Sequence, residues 1–313
     1  MFIDMDWKSK NVLVTGGNGF LGSKLVKLLK EKDTKKIVIP DSKQCDLRDI
    51  NNCKSILQEI DVVFHLAAKV GGIGLNQSKP GELFYDNLMM GVNLMEEARK
   101  NKIEKFISLG TICSYPKFTP IPFKEDSIWD GYPEETNAPY GLAKKMLLVQ
   151  SQAYKQQYDF ESITIFPTNL YGQNDNFDED SSHVIPAIIK KVLDAIQNNS
   201  DSISLWGDGT PTRDFLYADD AASGILLAAE KYSDSEPLNL GSGKEVSIKD
   251  LAHLIIKIMN ANLKISWEID RPNGQPKRCV SIEKAKNKIG FQPKVSLEDG
   301  LKLTVNSFIQ KNN

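Results

Sequence analysis

Tyr140-Gly141-Leu142-Ala143-Lys144 places a phenol and an ammonium four residues apart, on one face of a helix. A free phenol titrates near pH 10, too high for a proton shuttle at neutral pH. An ammonium about 4 Å away, at an effective dielectric near 20, favours the phenolate by about 4 kcal/mol. That is nearly three pKa units, so the pair is expected to bring Tyr140 close to 7 unless desolvation opposes it. Such a phenol can hand a proton to a carbonyl oxygen as hydride reaches the carbon. The plainer alternative is a half-buried tyrosine beside a surface lysine.

About 120 residues earlier stands Thr15-Gly16-Gly17-Asn18-Gly19-Phe20-Leu21-Gly22. Gly16 permits a tight turn, Gly19 lets a pyrophosphate approach the backbone, and Gly22 allows close helix–sheet packing. The free N–H groups of a following helix would meet the anion, with Asn18, Phe20 and Leu21 lining its path. This pattern points to a dinucleotide. A carboxylate after the second strand favours NAD, through the ribose 2′-hydroxyl, and a cation there favours NADP. Ile39-Pro40-Asp41-Ser42-Lys43 offers both, with Lys43 the candidate cation. Asp46 and Leu47, just beyond, are placed to reach the adenine edge.

The elements that must hold these residues alternate strand and helix. Asn11–Thr15 reads as a strand, and Phe20–Glu31 as a helix with Leu21, Leu25, Leu28 and Leu29 on one face. Strands follow at Ile37–Ile39, Asp61–Leu66, Phe106–Leu109 and Ser162–Phe166. Helices are expected at Ile50–Glu59, Glu82–Lys100 and Tyr140–Tyr158. This alternation predicts an α/β fold of the Rossmann type, a doubly wound parallel sheet over residues 1–170. Residues 171–313 are expected to form a smaller α/β substrate domain, with a return to the first near 213–243. There, Asn174–Ser182 reads as irregular, His183–Asn198 as a helix, and Leu238–Leu240 as a strand rejoining the sheet. Helices at Ile248–Met259 and Leu297–Gln310 close the chain.

Composition narrows the class. The 313 residues are 41% hydrophobic and 26% charged, with a net charge of −2. No global field draws this chain to nucleic acid or to an anionic membrane. Cys45, Cys53, Cys113 and Cys279 fit no metal-site spacing, and they read as reduced thiols of a cytoplasmic protein. Met1–Lys10 has no apolar run of signal-peptide length, and no stretch approaches a membrane span.

The glycine loop, the Leu66-Ala67-Ala68 strand end and the Tyr140/Lys144 pair resemble the extended short-chain dehydrogenase/reductase family. Further motifs resemble its GDP-L-fucose synthase branch: Ala67–Ile73, Cys113–Lys117, Pro167–Gly172, Asp175–Phe177, Ser182–Ala187 and Trp206–Phe215. They run in order over nearly the whole chain. That branch inverts C3 and C5 of GDP-4-keto-6-deoxymannose and then reduces the C4 ketone. The resemblance implies Cys113 as base, His183 as acid, and Tyr140 as donor to the C4 oxygen, with NADPH delivering hydride. It implies Thr111 as a hydroxyl on that oxygen, where the family usually has Ser; β-branching restricts its rotamer. It extends the cofactor wall to Leu66, Ala67, Ala68, Lys144, Pro167, Asn169, Leu170 and His183. It also points to Asn169, Lys191, Trp206, Arg213 and Arg278 for the substrate, and to a flexible Gly71–Gly74 loop over the sugar. Asn18 and Ser42 stand where some members carry arginines for the 2′-phosphate; Ser42-Lys43 matches others. NADP(H) is therefore expected, with NAD(H) as the alternative that Asp41 leaves open. Family members pair two long helices across a two-fold axis, which implies a homodimer. Two other readings stay open: an enzyme of a related GDP-4-keto sugar (a 6-deoxyheptose or colitose precursor), or a dinucleotide sensor without catalysis.

Overall fold

The computed structural model describes residues 5–178, 181–271 and 273–312. The start of the Met1–Lys10 segment and two residues of the expected irregular segment Asn174–Ser182 lie outside the described residues. The first half runs β1 (Asn11–Thr15), α1 (Phe20–Glu31), β2 (Lys36–Val38), α2 (Ile50–Ile56), β3 (Val62–His65), α3 (Ile73–Ser78), α4 (Pro80–Lys100), β4 (Lys105–Leu109), α5 (Ala138–Tyr158) and β5 (Ser162–Pro167). The second half runs β6 (Asn169–Tyr171), α6 (Val184–Gln197), β7 (Ser202–Trp206), β8 (Thr212–Tyr217), α7 (Ala218–Lys231), β9 (Leu238–Leu240) and β10 (Glu245–Ser247). It ends with α8 (Ile248–Ile258), β11 (Lys264–Glu268), β12 (Lys277–Arg278), α9 (Glu283–Ile289) and α10 (Leu297–Asn312).

Six parallel strands form the main sheet in the order β2-β1-β3-β4-β5-β9. Strand order reverses between β1 and β3, and such a switch point opens a crevice at the carboxyl ends of the strands. The central strands are buried on both sides, as their continuous apolar runs require. On one face Leu25, Val26 and Leu29 of α1 pack with Ala221, Ala222 and Ile225 of α7. The other face is covered by Cys53 of α2, Leu94, Met95 and Ala98 of α4, and Leu147 of α5. A second sheet joins β10, β8 and β12, with β6 also pairing to β8. It shares a separate core with α6, α8 and α10.

The Gly71–Gly74 segment is not a plain loop. Gly72 caps the short helix α3, and its N–H donates to the Ser181 carbonyl at 3.2 Å. Asn76 Nδ2 then donates to the carbonyls of both Gly71 and Gly72 at 3.0 Å, which ties the turn from within. Hydrogen bonds, rather than glycine freedom, set this conformation. Among the described residues no helix is long and apolar enough to cross a membrane, and no cluster of His, Cys, Asp and Glu could hold a metal ion.

Candidate active site

A cleft of about 1460 Å³ opens at the carboxyl edge of the main sheet and runs under the second one. Its walls contain every residue singled out above for catalysis or substrate binding, and every cofactor residue except Lys43. Lys43 stays on an exposed turn whose Asp41 and Ser42 do reach the wall. There Asp41 Oδ1 accepts from the Lys43 N–H at 2.8 Å, which turns the backbone but leaves the ammonium in water.

At one end the glycines act as the spacing demands. A Cβ on Gly22 would stand 2.1 Å from the Gly16 carbonyl oxygen. Gly16 itself has φ +69°, with Ala67 N only 2.9 Å from where a Cβ would be. No side chain caps α1, so its first-turn N–H groups face the cleft ready for a phosphate. These features fit a dinucleotide diphosphate.

Beyond the glycines, Asp46 is taken up by a residue that sequence reasoning missed. Arg48 donates to it from Nε at 2.9 Å and from Nη2 at 2.7 Å. Its Nη1 reaches Asp86 of α4 at 2.8 Å, and Asp86 also pairs with Lys69 at 3.1 Å. Arg48 lies two residues past a residue already in view, but the sequence does not reveal that α4 delivers a carboxylate there.

In the middle of the cleft, Tyr140 and Lys144 share one face of α5, and both are buried. Their electrostatics run opposite to the simple pair argument. Burial pushes the Tyr140 phenol above its ordinary value, Cys113 adds to the rise, and a hydrogen bond from Thr111 opposes it. Burial also lowers Lys144 to about 8. Desolvation, which penalises the charged form of each group, sets both directions. Tyr140 therefore holds its proton at neutral pH, which is the form a proton donor needs.

Thr111 follows β4 by two residues and caps the short turn Ile112–Ser114, its Oγ1 accepting from Cys113 N–H at 3.3 Å. Ser114 Oγ donates to the Gly141 carbonyl at 2.7 Å. A Cβ on Gly141 would stand 2.3 Å from the Cys113 carbonyl oxygen. The glycine after Tyr140 thus lets the thiol-bearing turn seat against α5. His183 caps α6 with its ring open to the cleft, while the surrounding protein lowers its pKa by desolvation.

The far end is cationic. Arg213 and Arg278 are both buried, and among the described residues neither has a carboxylate within ion-pair distance. Burial, then the neighbouring Arg278, lowers Arg213 to about 9. Asp214, adjacent in sequence, turns away to the Ser242 hydroxyl at 2.6 Å and its N–H at 2.9 Å. Two buried like charges are costly without an anion to share. Trp206 stands half-exposed at the rim with the Arg271 guanidinium 5.1 Å from its ring centre. Lys191 Nζ donates to the Ser204 carbonyl at 2.7 Å, and Asn169 Nδ2 to the Asp214 carbonyl at 2.9 Å. Asn137 and Gln275 also line the cleft, and sequence reasoning passed over both.

The family model described as "NAD dependent epimerase/dehydratase family" matches residues 12–241. A GDP-L-fucose synthase of Sinorhizobium fredii is 37% identical, covering 96% of each chain. A GDP-L-colitose synthase of Yersinia pseudotuberculosis is 32% identical, over 96% of this chain and 99% of its own. A GDP-L-fucose synthetase of Naegleria fowleri, solved with NADP bound, superposes with a TM-score of 0.88 at 30% identity, over 97% of this chain and 95% of that one. On this evidence the chain belongs to the NAD dependent epimerase/dehydratase family, in the branch that these GDP-sugar enzymes share.

Proposed function

We propose that this cleft inverts C3 and C5 of GDP-4-keto-6-deoxymannose and reduces its C4 ketone with NADPH, giving GDP-L-fucose. The observation that carries the reading is convergence. Cys113, Tyr140 and His183 come from three distant segments and line one cleft, between a diphosphate-ready glycine loop and a buried arginine pair. GDP-L-fucose synthases match this chain over nearly its whole length, and a relative binds NADP.

A 4-keto group acidifies both neighbouring carbons, so one base and one acid suffice for both inversions. Cys113 takes the proton from the ring carbon, and the enolate's charge gathers on the C4 oxygen. Thr111 and Tyr140 stabilise that oxygen by donating hydrogen bonds. His183 returns a proton to the opposite face; its lowered pKa makes it a ready donor once charged. The first turn of α1 would hold the diphosphate of NADPH, which when bound would supply the hydride for C4. Tyr140 then protonates the C4 oxygen, and Lys144 stabilises the phenolate that results. Arg213 and Lys191 meet the substrate diphosphate, and Trp206 packs on the flat face of the nucleotide base.

Residues 1–170, with the return over 213–243, serve as the cofactor half, and the remainder as the substrate half. Two copies pair through α4 and α5, where Phe84, Tyr85, Val149 and Tyr158 are exposed. The four free cysteines suit a reducing, cytoplasmic setting. One second reading has a specific basis: the likeness to a GDP-L-colitose synthase, together with Thr111, favours a related GDP-4-keto sugar. Following NADPH oxidation with each substrate separates the two. The first reading expects turnover with GDP-4-keto-6-deoxymannose, and a loss of about 10²-fold or more in Tyr140→Phe. Turnover confined to a heptose or 3,6-dideoxy substrate would favour the second.

A further inference from the structure

Arg278 differs from the other cleft cations in what it touches. Its Nη1 donates to Cys113 Sγ at 3.4 Å, and its Nε donates to Gln275 Oε1 at 2.8 Å. Gln275 is 1% exposed. Its Nε2 donates to the Lys117 carbonyl at 2.9 Å and to the Pro116 carbonyl at 3.4 Å. The connection therefore starts and ends on one short stretch, with Cys113 at one end and Pro116–Lys117 at the other. A guanidinium so clamped keeps its Nη1 aimed at the sulfur.

We infer that Arg278, oriented by Gln275, is a positioning residue that holds Cys113 as a thiolate and aims its sulfur into the cleft. This rests on the reading of Cys113 as the base. A thiolate accepts a charge-assisted hydrogen bond far better than a neutral thiol does, so the contact selects the reactive form. In the reaction the C–H bond breaks, its proton moves to sulfur, and its electron pair enters the enolate. Arg278 neither gives nor takes the proton in this step. The other charges nearby fit this division: Arg213 adds positive field and Glu134 opposes it, while Tyr140 faces Cys113 as a neutral phenol. Glu134 is itself occupied by Asn137 Nδ2 and Thr136 Oγ1, both at 2.6 Å, which leaves the guanidinium to the sulfur. Arg278 lies on β12, which pairs with β8. The base is thus completed across the cleft, by the second sheet acting on a turn of the first.

The test is the rate at which iodoacetamide alkylates Cys113 at neutral pH in the full-length free protein, read by peptide mass spectrometry. Attack by the thiolate expels iodide, so the rate follows thiolate content. Arg278→Met is expected to slow Cys113 labelling about tenfold, with Arg278→Lys recovering most of the rate. Gln275→Leu is expected to slow it by less than Arg278→Met. An unchanged or faster rate in Arg278→Met, with NADPH binding intact, would overturn the inference. Should that variant fail to fold, normal labelling in both Gln275→Leu and Arg278→Lys would overturn it equally. No sugar enters this assay. Failure here is therefore distinct from failure of the proposed reaction, which NADPH oxidation reads.

Discussion

Lys144 carries an energetic cost that its motif conceals. Its folded-state pKa is about 8, below the ordinary 10.5, because burial disfavours the charge. Between those values the unfolded chain binds more protons than the folded one, so stability rises with pH through that window. The full penalty is present below pH 8. Lys144→Met is therefore expected to raise the melting temperature of the free protein at pH 7, by a difference that shrinks as pH climbs from about 8 towards 10.5. Thermal melts of both proteins across that range check it, and identical midpoints at pH 7 would contradict the burial argument. The motif made the Tyr140/Lys144 pair legible from spacing alone. The sign of its electrostatics was not legible, because burial depth is a property of the folded cleft. Lys43 and Arg48 repeat the lesson: both are exposed cations near the second strand, and only the packing of α4 decides which one joins the cleft wall.

At the scale of elements, the single 3-10 turn bearing Cys113 takes its position from α5. Gly141 is the point of contact, since a methyl group there would sit 2.3 Å from the Cys113 carbonyl oxygen. Gly141→Ala is expected to displace that turn and cut solvent-proton exchange into substrate by about 10²-fold, with a much smaller effect on the NADPH dissociation constant. Exchange measured by mass spectrometry, beside a fluorescence titration with NADPH, reads both quantities. Equal losses in the two would mean that α5 as a whole had shifted. The main sheet was legible because its central strands are largely apolar and α1 carries one apolar face. Beyond residue 170 the strand signal fades, while α6 and α8 keep clear apolar faces. Strands β6, β10 and β12 have only two or three residues, too few for a period. Helix α7 buries Ala221, Ala222, Gly224, Ile225, Ala228 and Ala229, small residues around much of its girth, so no single apolar face stands out. Gly71 and Gly72 read as a flexible loop because the bonds that tie them come from Ser181 and Asn76.

At the scale of the molecule, the cleft joins two sheets that divide the chemistry. The first provides the glycine loop, the phenol and the thiol, and the second the arginine pair. Helices α4 and α5 face away from the second sheet's core and leave Phe84, Tyr85, Val149 and Tyr158 exposed. If that face joins two copies, Val149→Asp is expected to halve the mass seen by light scattering. A monomeric parent protein would refute the pairing outright.

In the proposed reaction one cleft performs both proton exchange and reduction. Turnover of GDP-4-keto-6-deoxymannose with NADPH in deuterium oxide, with the label located in the product, reads both events at once. The expected product is GDP-L-fucose with deuterium at C3 and C5 and hydrogen from NADPH at C4, and no C3 or C5 label with Cys113→Ser. Stoichiometric NADPH oxidation by the unaltered protein, with C3 and C5 free of deuterium and uninverted, would contradict it.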